Sequence, residues 1–267
     1  MNGAALLVRL FGASLKAQMQ YPAATAMLTL GQLLVTVLEI VGVWALFDRF
    51  GQIRGWSLGE VCVFYGLINI TFSLADLVTR GFDVFGPEFV KTGNFDRVLL
   101  RPRSAALLLV GHEFRLSRFG RTAQGLGVLL VGVQFTGIDW GAADTALALF
   151  AIAGGMALFA GLLVLQASLA FWTVESLEVA NVLTYGGVQA AHYPLNIYAA
   201  WFRRFLTFVV PIACVAYFPV VSILERPDPL GSPGWLAAVS PLAGFAFLGV
   251  SFIAWRFGVG KYTSTGS

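Results

Sequence analysis

Charge is what this sequence has least of. Only 12% of its 267 residues are Asp, Glu, Lys or Arg, about half the share usual in soluble domains. A soluble fold of this length could not cover its core with so few charges. With 58% hydrophobic residues and a mean hydropathy of +0.79, the solvent implied is lipid. Cysteine is nearly missing as well. Cys62 and Cys214 both fall inside apolar runs and form no CxxC pair, which argues against a disulfide framework or a thiolate metal site and leaves them as small apolar fillers. The net charge of +3 is too small to call for nucleic acid, and no nucleic-acid partner is expected.

Catalytic machinery is equally sparse. "HEFRL" from His112 opens like a zinc-protease motif but has Leu116 where the second His is needed, and His192 in "AAHYP" has no carboxylate or thiol beside it. "GVGKYTS" at 258–264 fails as a phosphate loop twice, with Trp255 where the first Gly belongs and Tyr262 after the Lys. The chain is therefore expected to be no enzyme, to bind no cofactor or metal, and to hydrolyse no ATP by that route.

What is present is a series of long apolar runs. Six windows read as membrane spans, at 23–47, 58–79, 122–137, 146–172, 205–224 and 236–255, most within the ~17–25 residues a crossing helix needs. The expected fold is an all-α integral membrane protein, one domain over 1–267. Residues 4–20 place Leu7, Leu10, Phe11 and Leu15 against Arg9 and Lys16, the pattern of an amphipathic helix lying on the inner leaflet before the first span. No cleaved leader is expected, since the run at 23–47 is too long for a signal-peptide core. With both termini cytoplasmic, 14 of the 17 Lys and Arg fall inside; Arg49, Arg54 and Arg226 fall outside. That asymmetry predicts a multi-pass protein of the cell's inner (plasma) membrane.

Two of the spans carry polar stripes. Thr25, Thr29, Gln32, Thr36 and Glu39 step by four and three along the first; Tyr65, Asn69, Ser73 and Asp76 do so along the second. Intramembrane carboxylates are costly and rarely face lipid. Gln32, Thr36, Glu39, Asn69, Ser73 and Asp76 are thus candidates either to line a pathway or to pair helices, with Asp76 four residues before Arg80. Ala153, Ala157 and Gly161, with Gly154 beside them, give the fourth span a small-residue face. Pro211 is expected to kink the fifth, and "ERPDPLGSPG" reads as a tight outer turn.

Between the second and third spans lies "RGFDVFGPEFVKTGNFDRVLLRPRS", residues 80–104. Pro87 suits a helix first turn and Gly93 a left-handed stop. The expected result is a short helix over 87–92 bearing Glu88 and Lys91, with Phe89 and Val90 exposed as apolar contacts. Asn94 is a possible cap for "NFDRVLL", and Ser104 can cap a further short helix. A merely solvated loop is the alternative; the repeated stops favour a rigid knuckle.

These residues carry a resemblance. "RGFDVFGPEFVKTGNFDRVLLRP", together with "HYPLNIY" at 192–198, "PIACVAYFP" at 211–219 and the ending "WRFGVGKYTSTGS" at 255–267, resembles ABC-2-type transporter permeases, specifically a six-span branch with R-G-x-D and G-x-F-D-x-x-L-L-R-P motifs. It runs from residue 80 to the C-terminus; Gly86-Pro87 departs from relatives with a continuous helix there. The resemblance implies a transmembrane subunit of an ATP-driven transporter, an exporter by family habit, that pairs with a second permease, identical or related. It also implies a coupling helix between spans 2 and 3 docked on separate ATPase subunits, which use the ATP. On that reading Glu88, Phe89, Val90, Lys91, Gly93, Asp96 and Arg97 form the ATPase contact, and membrane lipid is the remaining partner. The alternatives are an intramembrane lipid-modifying enzyme and a secondary transporter driven by protons at Glu39.

Overall fold

A computed structural model describes residues 3–114, 117–173, 177–228 and 230–263. Arg115, Leu116, residue 229 and the end of the C-terminal motif, 264–267, lie outside them. The chain begins with α1 (Gly3–Met19), α2 (Pro22–Phe50) and α3 (Leu58–Asp83), followed by the short α4 (Asn94–Leu99) and α5 (Ala105–Val110). Then come α6 (Ser117–Thr136), α7 (Ala142–Leu169), α8 (Leu177–Ala191), α9 (Ala200–Arg204), α10 (Ile212–Val215), α11 (Tyr217–Ile223), α12 (Trp235–Val239) and α13 (Leu242–Lys261). No strand occurs among the described residues, only an isolated bridge between Ile53 and Trp56.

Among the described residues, four helices are long and apolar enough to cross a membrane: α2, α3 continued to Val90, α7 and α13. A fifth is added only if the bent pair Ala200–Val209 and Ile212–Ile223 is counted as one span. The six windows are therefore matched in kind rather than in number.

At the centre stands α3, buried along nearly its whole length. Its start is fixed by Ser57, whose hydroxyl accepts from the Glu60 amide while the Glu60 carboxylate accepts from the Ser57 amide, a reciprocal cap that satisfies two end groups. Antiparallel α6 lies against it along a seam of glycines. A Cβ at Gly66 would stand 2.6 Å from the Leu129 amide nitrogen, and one at Gly132 would stand 2.9 Å from the Gly59 carbonyl oxygen. The backbones meet there without intervening side chains, which suits helices whose association cannot draw on a hydrophobic difference from lipid. The α7–α13 pair is built the same way. A Cβ at Gly154 would meet the Pro241 carbonyl at 2.4 Å, and Ala157 and Gly161 continue the seam. Ala153, assigned to that face from its spacing, is exposed instead, because the contact centres one residue further on.

The fifth window, 205–224, is not one helix. It is a π-helical turn, Phe205–Val209, then Pro211, then α10 and α11, with a 74° bend between the halves. Pro211 cannot donate a backbone hydrogen bond, so a break rather than a gentle kink results. Meanwhile α8 occupies what reads in the sequence as a loop. In its first half Asn181 pairs with Gln166, and at its middle Tyr185 donates to Asp83. Just beyond its end, Asn196 accepts from the Trp56 indole at 3.0 Å. This run therefore travels the length of α3 from the Asp83 end to the Trp56 end. The bent pair then leaves and regains the Trp56 end, where Arg226 donates to the Gly55 carbonyl at 2.9 Å and pairs with Glu60 at 2.5 Å. Arg203 and Arg204 accordingly sit toward the Trp56 end, away from the Asp83 end with which the basic-residue split groups them. The following turn is ordered around Asp228, which accepts from Tyr217, the Leu230 amide and Ser232. Burial alone would raise its pKa, but these donors outweigh it and hold the carboxyl below its ordinary value.

The amphipathic α1 is tied to the other end of the bundle. The Ser14 hydroxyl donates to the Phe114 carbonyl at 3.0 Å and accepts from its amide, while Leu10 packs over Gly111.

Candidate functional site

Two constructions depart from simple helix packing: the knuckle after α3 and a polar column along α3.

The knuckle grows out of α3 without a true break. Beyond Asp83 the backbone stays helical and widens into a π-helical turn, Gly86–Val90, with Pro87 in its first turn. The Lys91 amide reaches back to the Gly86 carbonyl at 3.0 Å. Gly93 then takes a left-handed conformation, φ 69°, which costs a residue without Cβ little, and the chain turns into α4. Ser104 caps α5 through the Leu107 amide, as its position suggests. Asn94 does not cap α4. Its amide donates to the Glu88 carbonyl and the Thr92 hydroxyl at 3.2 and 2.8 Å, clasping the end of the wide turn instead.

Phe89 and Val90 differ from expectation. Each is only 7% exposed, so they are not outward anchors. They belong to a second core with Phe82, Phe85, Phe95, Leu109 and Trp255. Phe85 lies edge-on to Phe95, Phe171 and Trp255 at 4.9, 5.2 and 5.0 Å and stacks on Phe89 at 5.8 Å. Aromatic pairs at such separations add about 0.5–1.5 kcal/mol each beyond area burial. The reason for the reversal is the π turn: one extra residue per turn swings Phe89 and Val90 under the knuckle. What remains exposed is Glu88, Lys91 and Arg97, together with Leu100 at 85% exposure. Asp96 is half-buried beside them.

The polar column begins at Glu39 on α2, which accepts from the Tyr65 hydroxyl at 2.9 Å. One turn along α3, Asn69 is wholly buried. Its oxygen accepts from Arg121 at 2.8 Å and its nitrogen meets His192 at 3.2 Å, while the His192 ring lies 4.4 Å from that of Tyr65. Ser73 meets Thr122 at 2.8 Å. Asp76, with its side chain fully buried, pairs with Arg118 at 2.6 Å and has Arg80 at 3.7 Å. Arg80 and Asp83 also pair, and Asp83 reaches Tyr185 on α8. Thr36 is buried on α2 and its carbonyl accepts from Gln124 at 3.2 Å. Gln32 is half-buried and makes no side-chain hydrogen bond among the described residues.

The α3 stripe is thus brought together with partners from three other helices. Arg118, Arg121, Gln124, Tyr185 and His192 are the members that reading the spans separately does not reveal. A signal was available: Arg118, Arg121, Thr122 and Gly125 recur at helical spacing on the face that α6 turns to α3. The cluster has several acid–base groups, but no set of three or more His, Cys, Asp or Glu converges on one point among the described residues.

A helical bundle of apolar, membrane-length helices joined by close glycine seams and an internal ion-paired column defines a polytopic membrane protein. The family model described as ABC-2 family transporter protein matches residues 33–266, and the chain belongs to that family. It is a membrane component of an ABC transporter, a class whose members do not themselves hydrolyse ATP and generally work with ABC ATPase subunits. No curated protein and no solved structure matches it.

Proposed function

We propose that this chain is the permease of an ATP-driven exporter, working as one of two permease subunits, and that the knuckle is where the ATPase docks. The observation that carries this reading is the rigid continuation of α3 into Gly86–Val90, locked by the Phe85 aromatic cluster. A displacement applied at Glu88 or Lys91 would be passed to α3 as a whole, because the connection has no slack. Through α3 it would reach the Asp76–Arg118 ion pair with α6 and the Asp83–Tyr185 hydrogen bond with α8. Coupling in this form needs rigid elements with two arrangements, and α3, central to the bundle, is placed to serve.

On this proposal six crossings are kept: α2, α3, α6, α7, α8 extended through Ile197, and α13. The bent pair forms a re-entrant hairpin that enters and leaves on the outer side, with both termini cytoplasmic in the plasma membrane. The polar column supplies helix pairing at Asn69, Ser73 and Asp76. Glu39, half-buried on the little-covered α2, is the group best placed to meet a passing substrate. The chain needs no cofactor of its own; ATP is consumed by the partner.

The test is purification of the tagged chain from its membrane, with ATP-dependent transport measured in vesicles. An ABC ATPase recovered with the parent and lost from Glu88→Lys/Lys91→Glu, with insertion intact, is the expected result. Transport that persists without any ATPase would contradict the reading and favour an ion-driven carrier.

A further inference from the structure

The knuckle has an inner side as well as an outward one. Between it and α5 lies a groove of about 490 Å³, within the range of sites that hold a ligand or an inserted side chain. Its floor is apolar, formed by Phe89, Val98 and Leu109. One wall is fixed rigidly, since a Cβ at Gly81 would stand 2.1 Å from the Leu109 carbonyl oxygen; α5 cannot drift from α3. The rim is charged, and unevenly so.

Glu88 is occupied by His112, 3.3 Å away, whose ring stands edge-on to Phe89 at 4.8 Å. Arg97 and Arg101, four residues apart, both line the groove. Both are exposed, and no carboxylate pairs with either among the described residues. The opening is therefore basic over an apolar floor, with two guanidinium forks on one side. Guanidinium forks match carboxylates bidentately, and an apolar centre ringed by charge is the usual anatomy of a protein interface.

We infer that this groove receives an acidic segment of the ATPase. A carboxylate of that segment sits between Arg97 and Arg101, and a neighbouring apolar side chain rests on Phe89 and Val98. The inference rests on the docking reading above and sharpens it: the contact is reciprocal, the knuckle projecting toward the ATPase while the ATPase inserts behind the knuckle. A segment held on both faces can transmit a pull as well as a push. An ATPase segment is favoured over an anionic lipid headgroup because the groove shares Pro87 and Glu88 with the outward docking face.

The experiment uses the full chain in detergent or nanodiscs and the purified ABC ATPase recovered with it. Affinity is measured against salt concentration for the parent, Arg97→Glu/Arg101→Glu and Arg97→Lys/Arg101→Lys. Both positions are exposed, and an unchanged gel-filtration profile verifies folding. The reversed pair should raise Kd at least tenfold and flatten the salt dependence, since opposite charge across an interface steers binding and like charge opposes it. The Lys pair should recover most of the affinity. Parent-like affinity for the reversed pair, alongside loss of ATPase by Glu88→Lys/Lys91→Glu, would overturn the groove while leaving the outward dock standing. Parent-like ATPase affinity with lost binding to phosphatidylglycerol vesicles would reassign the groove to a lipid headgroup. A parent that binds no ATPase would end the docking reading and this inference with it.

Discussion

The Asp76–Arg118 pair offers the sharpest test of how the bundle is held. The Asp76 side chain is 0% exposed and that of Arg118 15%, with 2.6 Å between them. Replacing one partner leaves a charge in a site where water cannot solvate it. Breaking a buried pair this way typically costs about 3–5 kcal/mol. Arg118→Gln should fall at the lower end, because Arg80 remains 3.7 Å from Asp76 and recovers part of the loss. At ~2–4 °C per kcal/mol for a chain of this size, a loss of ~3 kcal/mol lowers the midpoint by about 6–12 °C. Asp76→Asn should behave similarly, by stranding Arg118. The double variant removes both charges, so its cost should fall short of the sum by about 1–3 kcal/mol, the coupling expected of residues in contact. Thermal denaturation of the detergent-solubilised chain, followed by gel-filtration recovery, reads all four forms. Additivity within about 0.5 kcal/mol would refute the pairing and leave the column without its structural role.

Three further outcomes follow from other parts of the fold. Gly66→Leu, which drives a side chain into the Leu129 backbone of α6, should prevent accumulation of folded protein, whereas Gly127→Leu, with open space around it, should not; equal expression of both would contradict the glycine seam. With Cys62 and Cys214 replaced, cysteines at Gly51, Trp201 and Gly231 should react with an impermeant maleimide outside intact cells and one at Thr92 should not, and external labelling of Thr92→Cys would overturn the orientation. Glu39→Gln should lower transport at least fivefold while leaving the amount of assembled complex unchanged; parent-like transport would confine Glu39 to its hydrogen bond with Tyr65.

The sequence was most legible where one helix carries its own signal. The runs at α2, α3, α7 and α13 announce themselves by length and apolarity, and Ser104 and Gly93 by the local chemistry of caps and turns. The polar stripe on α3 was visible because its spacing is intrahelical, but its partners were not, since Arg121 and His192 meet Asn69 only after α6 and α8 have packed. Helix α8 is hidden in the sequence because its 15 residues are too few for a span and its continuation is only a single 3-10 turn, Leu195–Ile197, set off by Pro194. The inward turn of Phe89 was beyond reach for a different reason. A π turn shifts the register of every side chain after it, and no residue pattern in "GPEFV" separates it from an α turn.

The measurement that bears most directly on the central claim places a photo-crosslinking residue at Lys91, on the outward face of the knuckle, in cells expressing the full chain, with Gly231 at the opposite end as the control. Lys91 should yield an adduct with an ABC ATPase and Gly231 should not. An adduct with lipid alone at Lys91, or an equal ATPase adduct at Gly231, would contradict that claim.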